Sequence, residues 1–155
     1  MVKNPENYLE GFQQAGAKRV IFHYEATHSP REVISLVRSL KMEVGLAINP
    51  DTSISEITPL ADEVDSVLFM SVYPGFYGHK FVPEVLGKVS DFRLIHPEVE
   101  IGIDGGIKES NIARVARAGA DVIYVGSAIF CQEQPGESYR RLVTLAQESS
   151  RYRSQ

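Results

Sequence analysis

Apolar residues gather in five short, dense runs: "KRVIFHYE" (18–25), "EVGLAIN" (43–49), "DSVLFMSV" (65–72), "EIGID" (100–104) and "DVIYVG" (121–126). They are rich in Val, Ile, Leu and Phe and alternate little, the pattern of strands covered on both faces of a parallel sheet. Between them the apolar positions change to helical spacing. Residues 83–95 place Val85, Val89 and Phe92 on one stripe, with Pro83 in the first turn. Residues 108–118 do the same with Ile112, Val115 and Ala116. "SPREVISLVRSL" offers Ser29 as cap, Pro30 as first helical residue, and Ile34, Val37 and Leu40 facing inward. An opening helix over about 5–15 is expected to bury Tyr8, Phe12 and Ala15. A closing helix over about 136–149 is expected to bury Leu142, Leu145 and Ala146.

Five strand–helix units in series imply a parallel sheet, either open and doubly wound or closed as a barrel. Each strand runs into a small or polar turn: "INPDT", "SVYPGFYG", "IDGG", "VGSAI". Chemistry spread over the loops after every strand is the habit of a barrel, whereas an open sheet concentrates it at one switch point. Yet the units number five, not eight, and barrels usually need at least about 200 residues. The reading is one α/β domain over 1–150 whose strand ends favour a barrel, with 151–155 a frayed tail.

Composition narrows the partners. The chain has 155 residues, 43% hydrophobic and 23% charged, with a net charge of −4 and no long basic run, which argues against nucleic acid. Cys131 is the only cysteine, so neither an intramolecular disulfide nor a cysteine metal cluster can form, and a reducing cytoplasm fits. "MVKNPENYLEGF" lacks the basic start and apolar core of a signal peptide. No apolar run approaches the roughly 18 residues that span a membrane.

The candidate chemistry sits where strands stop. In "EIGIDGGIKESN" (100–111) the strand ends at Asp104, followed by Gly105 and Gly106. Asp-Gly is equally a common turn, but a carboxylate at the C-terminal end of a barrel strand is placed to act as general base or metal ligand. Gly75 and Gly78 in "YPGFYGHKF", and Gly126 with Ser127 in "VGSAIF", offer backbone amides suited to a phosphate dianion. Asp104, Gly75 and Ser127 are therefore expected to face one cavity. His23 reads as a packed, hydrogen-bonded residue rather than a ligand, His28 and His96 as exposed, and Cys131 as inert.

These segments resemble a family. "GLAINPDT", "LFMSVYPGFYGHKF", "IDGGIKESN" and "AGADVIYVGSAIF" resemble the signatures of ribulose-phosphate 3-epimerases, which have "NPGFGGQ-x-F" and "VDGG" at the matching points. "AGAKRVIFHYEAT" resembles that family's fourth strand, with His23 and Glu25 on its "FH-x-E". The resemblance implies a (β/α)8 TIM barrel represented here by strands four to eight. The family's "HLMV" reduces to the opening "MV", and its strand-two "H-x-D-x-M-D-G" has no counterpart, as expected of a late start or a truncation. The implied activity is interconversion of ribulose 5-phosphate and xylulose 5-phosphate in pentose phosphate metabolism, by proton transfer at carbon 3 through a metal-stabilised enediolate. By the same resemblance Asp104 is catalytic and binds the divalent metal, often zinc. The second aspartate and both metal-binding histidines lie in the part without counterpart.

Gly75, Phe76, Tyr77, Gly78, Gly105, Gly106, Gly126 and Ser127 match the substrate- and phosphate-holding backbone, and Met70 a methionine lining the reaction centre. Tyr73, Tyr77 and His79 stand where the family has Asn, Gly and Gln, which leaves a ketohexose 6-phosphate open as substrate. The chain as given is expected to be inactive and to form homo-oligomers. The alternative is a non-catalytic sugar-phosphate-binding remnant. The "YPGFYGHKF" loop counts against a third reading, a related decarboxylase or hexulose-phosphate synthase.

Overall fold

A computed structural model describes residues 1–73, 75 and 80–150. Five strands form one sheet: β1 (Arg19–His23), β2 (Glu43–Ile48), β3 (Ser66–Met70), β4 (Glu100–Asp104) and β5 (Val122–Tyr124). Their spatial order is their chain order, and every pairing is parallel. The helices are α1 (Leu9–Gln14), α2 (Pro30–Ser39), α3 (Ile54–Ile57), α4 (Val85–Ile95), α5 (Glu109–Ala118), α6 (Ser127–Phe130) and α7 (Pro135–Ser150). The expected βα rhythm is therefore present, in a five-stranded parallel sheet. The tail 151–155 lies outside the described residues.

Alternate residues of each strand face opposite sides. One set packs against the helices: Val44, Leu46 and Ile48, Val67 and Phe69, and Ile101 and Ile103 are all buried beneath Val33, Ile34 and Val37 of α2, Val85, Val89 and Phe92 of α4, and Ile112 and Val115 of α5. Phe69 and Phe92 meet edge to face with ring centroids 5.6 Å apart. The other set turns to the concave side. There Arg19 of β1 donates to Glu43 and reaches Glu100 of β4. A side-chain bridge over two intervening strands requires the sheet to curl. Within that curl space is tight: a Cβ on Gly45 would lie 2.7 Å from Ser66 Oγ.

Several local expectations are corrected. The opening segment is a 3-10 turn (Pro5–Tyr8) leading into α1, and it buries Pro5 and Leu9 while Tyr8 and Phe12 are half-exposed and Ala15 is exposed. Phe12 lines a cavity with Arg19–His23 of β1, whose outer edge has no neighbouring strand among the described residues. Ser29 holds the N-cap position of α2 without a side-chain capping bond. Pro83 precedes α4, which starts at Val85. Leu40, Leu145 and Ala146 are only partly buried. His96 is half-buried against Phe92, ring centroids 4.7 Å apart. β1 stops at His23 because Tyr24–Ala26 wind into a 3-10 turn. α3 and the 3-10 turn Thr58–Glu63 begin at Ser53, whose hydroxyl accepts from the Ser55 amide while Glu56 accepts from the Ser53 amide.

Candidate active site

Asp104 is the last residue of β4, level with buried Met70 on β3 and with Tyr124 on β5. Parallel strands end together, so the turns after them share one rim. Immediately after Asp104 the chain reverses through Gly105 (φ 122°) and Gly106 (φ 63°), conformations that L side chains avoid. Gly105 is required twice over, because a Cβ there would lie 2.5 Å from Val72 Cγ2 and 2.9 Å from the Val72 amide nitrogen.

Two side chains that sequence reasoning passed over hold this turn. Ser71 is fully buried; its amide donates to the Asp104 carbonyl (2.7 Å), and its hydroxyl donates to the carbonyls of Asp104 (3.0 Å) and Gly105 (2.7 Å). Asn111 donates to the Gly106 carbonyl (3.0 Å) and accepts from the Lys108 amide (2.8 Å), tying the turn to the start of α5. The available signals were slight: a lone serine closing an apolar run, and an asparagine in the first helical turn.

The Asp104 carboxyl is half-buried. Burial raises its pKa above the usual aspartate value, opposed in part by a hydrogen bond from the Gly105 amide. It lines a cavity of about 420 Å³ with Met70, Leu68, Ala47 and His23. Gly75 (φ 138°) and Ser127 do not line that cavity, so the expected three-way convergence is only partial. The cavity lies toward β1 and the N-terminal segment, whereas those two residues belong to the rim turns after β3 and β5. Gly126 and Ser127 nevertheless follow the strand paired with β4, which makes the turn 105–106 and the turn 125–127 neighbours. Phe76, Tyr77, Gly78 and His79 lie outside the described residues.

Beyond His23, which lines the cavity, Glu25 folds back from the turn after β1. It accepts from the Asn49 amide (2.8 Å), from the Thr52 hydroxyl and from His23 Nδ1 (3.2 Å). Burial alone would raise its pKa, but the hydrogen bonds from His23, Asn49 and Thr52 outweigh it and hold the pKa at about 2. The loop it grips is pinned twice more: Tyr73 donates to Asp51 (2.7 Å), and Lys88 of α4 donates to the carbonyls of Pro50 and Thr52. Tyr73, which replaces the asparagine of the epimerase pattern, thus clasps the turn after β3 to the turn after β2.

The divalent metal implied by the sequence resemblance does not fit the described residues. Among them no group of three or more His, Cys, Asp or Glu could hold an ion. The residues nearest Asp104 along its cavity wall, Met70 and Leu68, offer no hard oxygen ligand.

The sequence pattern of the ribulose-phosphate 3 epimerase family matches residues 1–130. Ribulose-phosphate 3-epimerase of Eremothecium gossypii is 40% identical over 130 residues, covering 84% of this chain and 54% of that protein. The Schizosaccharomyces pombe enzyme of the same name is 40% identical over 152 residues, covering 96% of this chain and 67% of that protein. The chain thus spans about half to two thirds of the length of these relatives. Among solved structures, 3-hexulose-6-phosphate synthase from Salmonella typhimurium superposes with a TM-score of 0.73 over 96% of this chain and 71% of that one, at 17% identity, a likeness of fold alone.

Proposed function

The chain belongs to the ribulose-phosphate 3-epimerase family, and we propose that it supplies one proton-transfer wall and the phosphate grip of a ketopentose 5-phosphate epimerase. The observation that carries this is Asp104: a half-buried carboxylate at a strand's C-terminal end, against Met70, followed by a rigid two-glycine turn.

The hydrogen on carbon 3 of ribulose 5-phosphate is acidified by the neighbouring carbonyl, and its removal gives an enediolate. Asp104 takes that proton on the face it sees. Its raised pKa makes it a stronger base than a solvated carboxylate, and Met70 keeps water from the reacting carbon. In this reading the phosphate is held by the backbone at Gly105, Gly106, Gly126 and Ser127, with Gly75, Phe76, Tyr77 and Gly78 completing the family pattern. The strands of the 155-residue chain are the fourth to eighth of that pattern.

Inversion needs a second proton delivered to the opposite face. No second aspartate of the family pattern stands in this sequence, and a positioned base contributes only about 10² to 10⁴-fold. By itself, then, this polypeptide binds ketose phosphates weakly and does not epimerise them measurably, which is the non-catalytic reading confined to this chain. A cytoplasmic setting accords with the single cysteine, and among the described residues no helix is long and apolar enough to cross a membrane. Association of copies through the open edges of β1 and β5 accords with the sheet order.

The test is ribulose 5-phosphate in deuterated water, following xylulose 5-phosphate formation and deuterium entry at carbon 3. The chain alone is expected to be silent. Joined to the unmatched portion of the S. pombe relative it should become active, and Asp104→Asn in that chimaera should abolish both signals. A chimaera equally active with Asn at 104 overturns the assignment.

A further inference from the structure

We propose that His23, oriented by Glu25, forms a hydroxyl-binding subsite facing Asp104 across the same cavity, with Nε2 accepting a hydrogen bond from a hydroxyl on the carbon chain of an acyclic sugar phosphate. The inference rests on the sugar-phosphate reading above and adds a residue and a ligand contact to it.

Strand geometry places the two groups opposite each other. Arg19 on β1 reaches Glu100 on β4 across the concave face, so both strands turn these positions inward, while the strand register sets His23 level with Gly102, two residues before Asp104. His23 lies four residues beyond Arg19, and Asp104 four residues beyond Glu100, on strands running the same way. Four residues preserve the inward direction and raise both positions by the same distance, about 13 Å. The ring and the carboxylate accordingly line one cavity of about 420 Å³. Between them the wall is Ala47, Leu68 and Met70, apolar surface that can cover a carbon chain but cannot bond its hydroxyls. The remaining polar lining is Arg19, whose guanidinium is engaged by Glu43 and Glu100, so the polar groups left to a ligand at the strand ends are His23 and Asp104.

The chemistry at the β1 end is settled by the partner of His23. Glu25 is ionised over the whole neutral range, with its pKa at about 2, so it can only accept. Nδ1, 3.2 Å from Glu25 Oε2, must then carry the ring proton. With a single ring proton held on Nδ1, Nε2 is the atom that keeps the lone pair. Nε2 has no partner among the described residues, and it is not one of the buried polar atoms sealed from solvent. Glu25 is itself held by the Asn49 amide and the Thr52 hydroxyl, so the pair is preorganised before any ligand arrives. An acceptor fixed in this way favours a ligand with a hydroxyl at that point over one without, because otherwise the acceptor loses its water without replacement.

The experiment compares two ligands, ribulose 5-phosphate and inorganic phosphate, titrated calorimetrically into the 155-residue chain and into His23→Leu and Glu25→Gln. The parent should prefer the ketose. His23→Leu should weaken ribulose 5-phosphate by about fivefold to tenfold, the worth of one hydrogen bond, with inorganic phosphate unchanged. Long-range ¹⁵N–¹H spectra of His23 at pH 8 supply a readout independent of ligand. The Nδ1–H tautomer should dominate in the parent, become mixed in Glu25→Gln, and return in Glu25→Asp. If His23→Leu keeps the full ketose preference, or His23 is Nε2-protonated in the parent, the subsite is refuted while the phosphate site stands. If the parent binds neither ligand, the sugar-phosphate reading falls and takes this inference with it. If His23→Leu fails to fold, loss of the ketose preference in Glu25→Gln together with its tautomer change supports the subsite, and an unchanged preference overturns it.

Discussion

Replacing Gly105 by alanine tests the rigidity of the turn behind Asp104. Two costs are separable. A φ of 122° lies where L residues are strained, at about 1–3 kcal/mol. The new methyl would also sit 2.5 Å from Val72 Cγ2 and 2.9 Å from the Val72 amide nitrogen. The side chain can rotate away, but the amide nitrogen cannot, because Ser71 before it is tied to the Asp104 and Gly105 carbonyls. Relieving that contact by moving backbone costs about another 1–3 kcal/mol. Together they destabilise by roughly 2–6 kcal/mol, a fall in Tm of roughly 4–24 °C for a domain of this size. Gly106→Ala should cost less. Its φ of 63° is ordinary left-handed geometry, and its nearest contacts, to Phe81, are 3.2 Å. Gly87 is the control: it is exposed within α4, and a Cβ there would meet nothing within 4 Å, so Gly87→Ala should stabilise by about 0.5–1 kcal/mol. Thermal melts followed by far-UV circular dichroism read all three. Gly105→Ala melting with or above Gly106→Ala would refute the argument.

Further outcomes follow from the same site. Asp104 has a raised folded pKa, so the native state favours its protonated form; its contribution to stability is present below the unfolded value and lost as pH rises through the folded one. Asp104→Asn should therefore raise Tm at pH 7 and lose that advantage near pH 3, which melts at the two pH values would show. Glu25 has the opposite sign: its stabilisation is present above about 4.5 and disappears as pH falls toward about 2. Glu25→Gln should cost roughly 1–2 kcal/mol at pH 7, allowing for screening at a part-exposed group, and little at pH 2 in urea titrations. Ser71→Ala leaves two carbonyls of the turn without their hydroxyl donor and should cost about 1–2 kcal/mol in the same assay. Finally, the free edges of β1 and β5 should make the 155-residue chain associate at micromolar concentrations in sedimentation velocity, and a persistent monomer would contradict this.

Dense apolar runs determined the five strands, and the helix between each strand and the next determined their parallel pairing, because a crossover helix returns each strand in the same direction. Helical spacing likewise determined the inward stripes of α4 and α5, and Asp104 with its two glycines was visible as a strand end where side chains are withdrawn. What the local pattern could not carry was anything depending on a distant neighbour. Tyr8 and Phe12 have helical spacing suited to a core, yet both are half-exposed, and Phe12 lies against β1, an edge strand among the described residues. Ser71 and Asn111 are ordinary residues in sequence, and their roles exist only because β3 and the start of α5 meet at the same turn. Glu25 is in sequence a match to one family motif, and its hold on the loop exists only because the Asn49 amide after β2 comes within 2.8 Å of it. His23 and Asp104 are 81 residues apart in the chain, like Arg19 and Glu100 below them. Only the curl of the sheet, which brings the first and fourth strands to face each other, makes them two walls of one cavity.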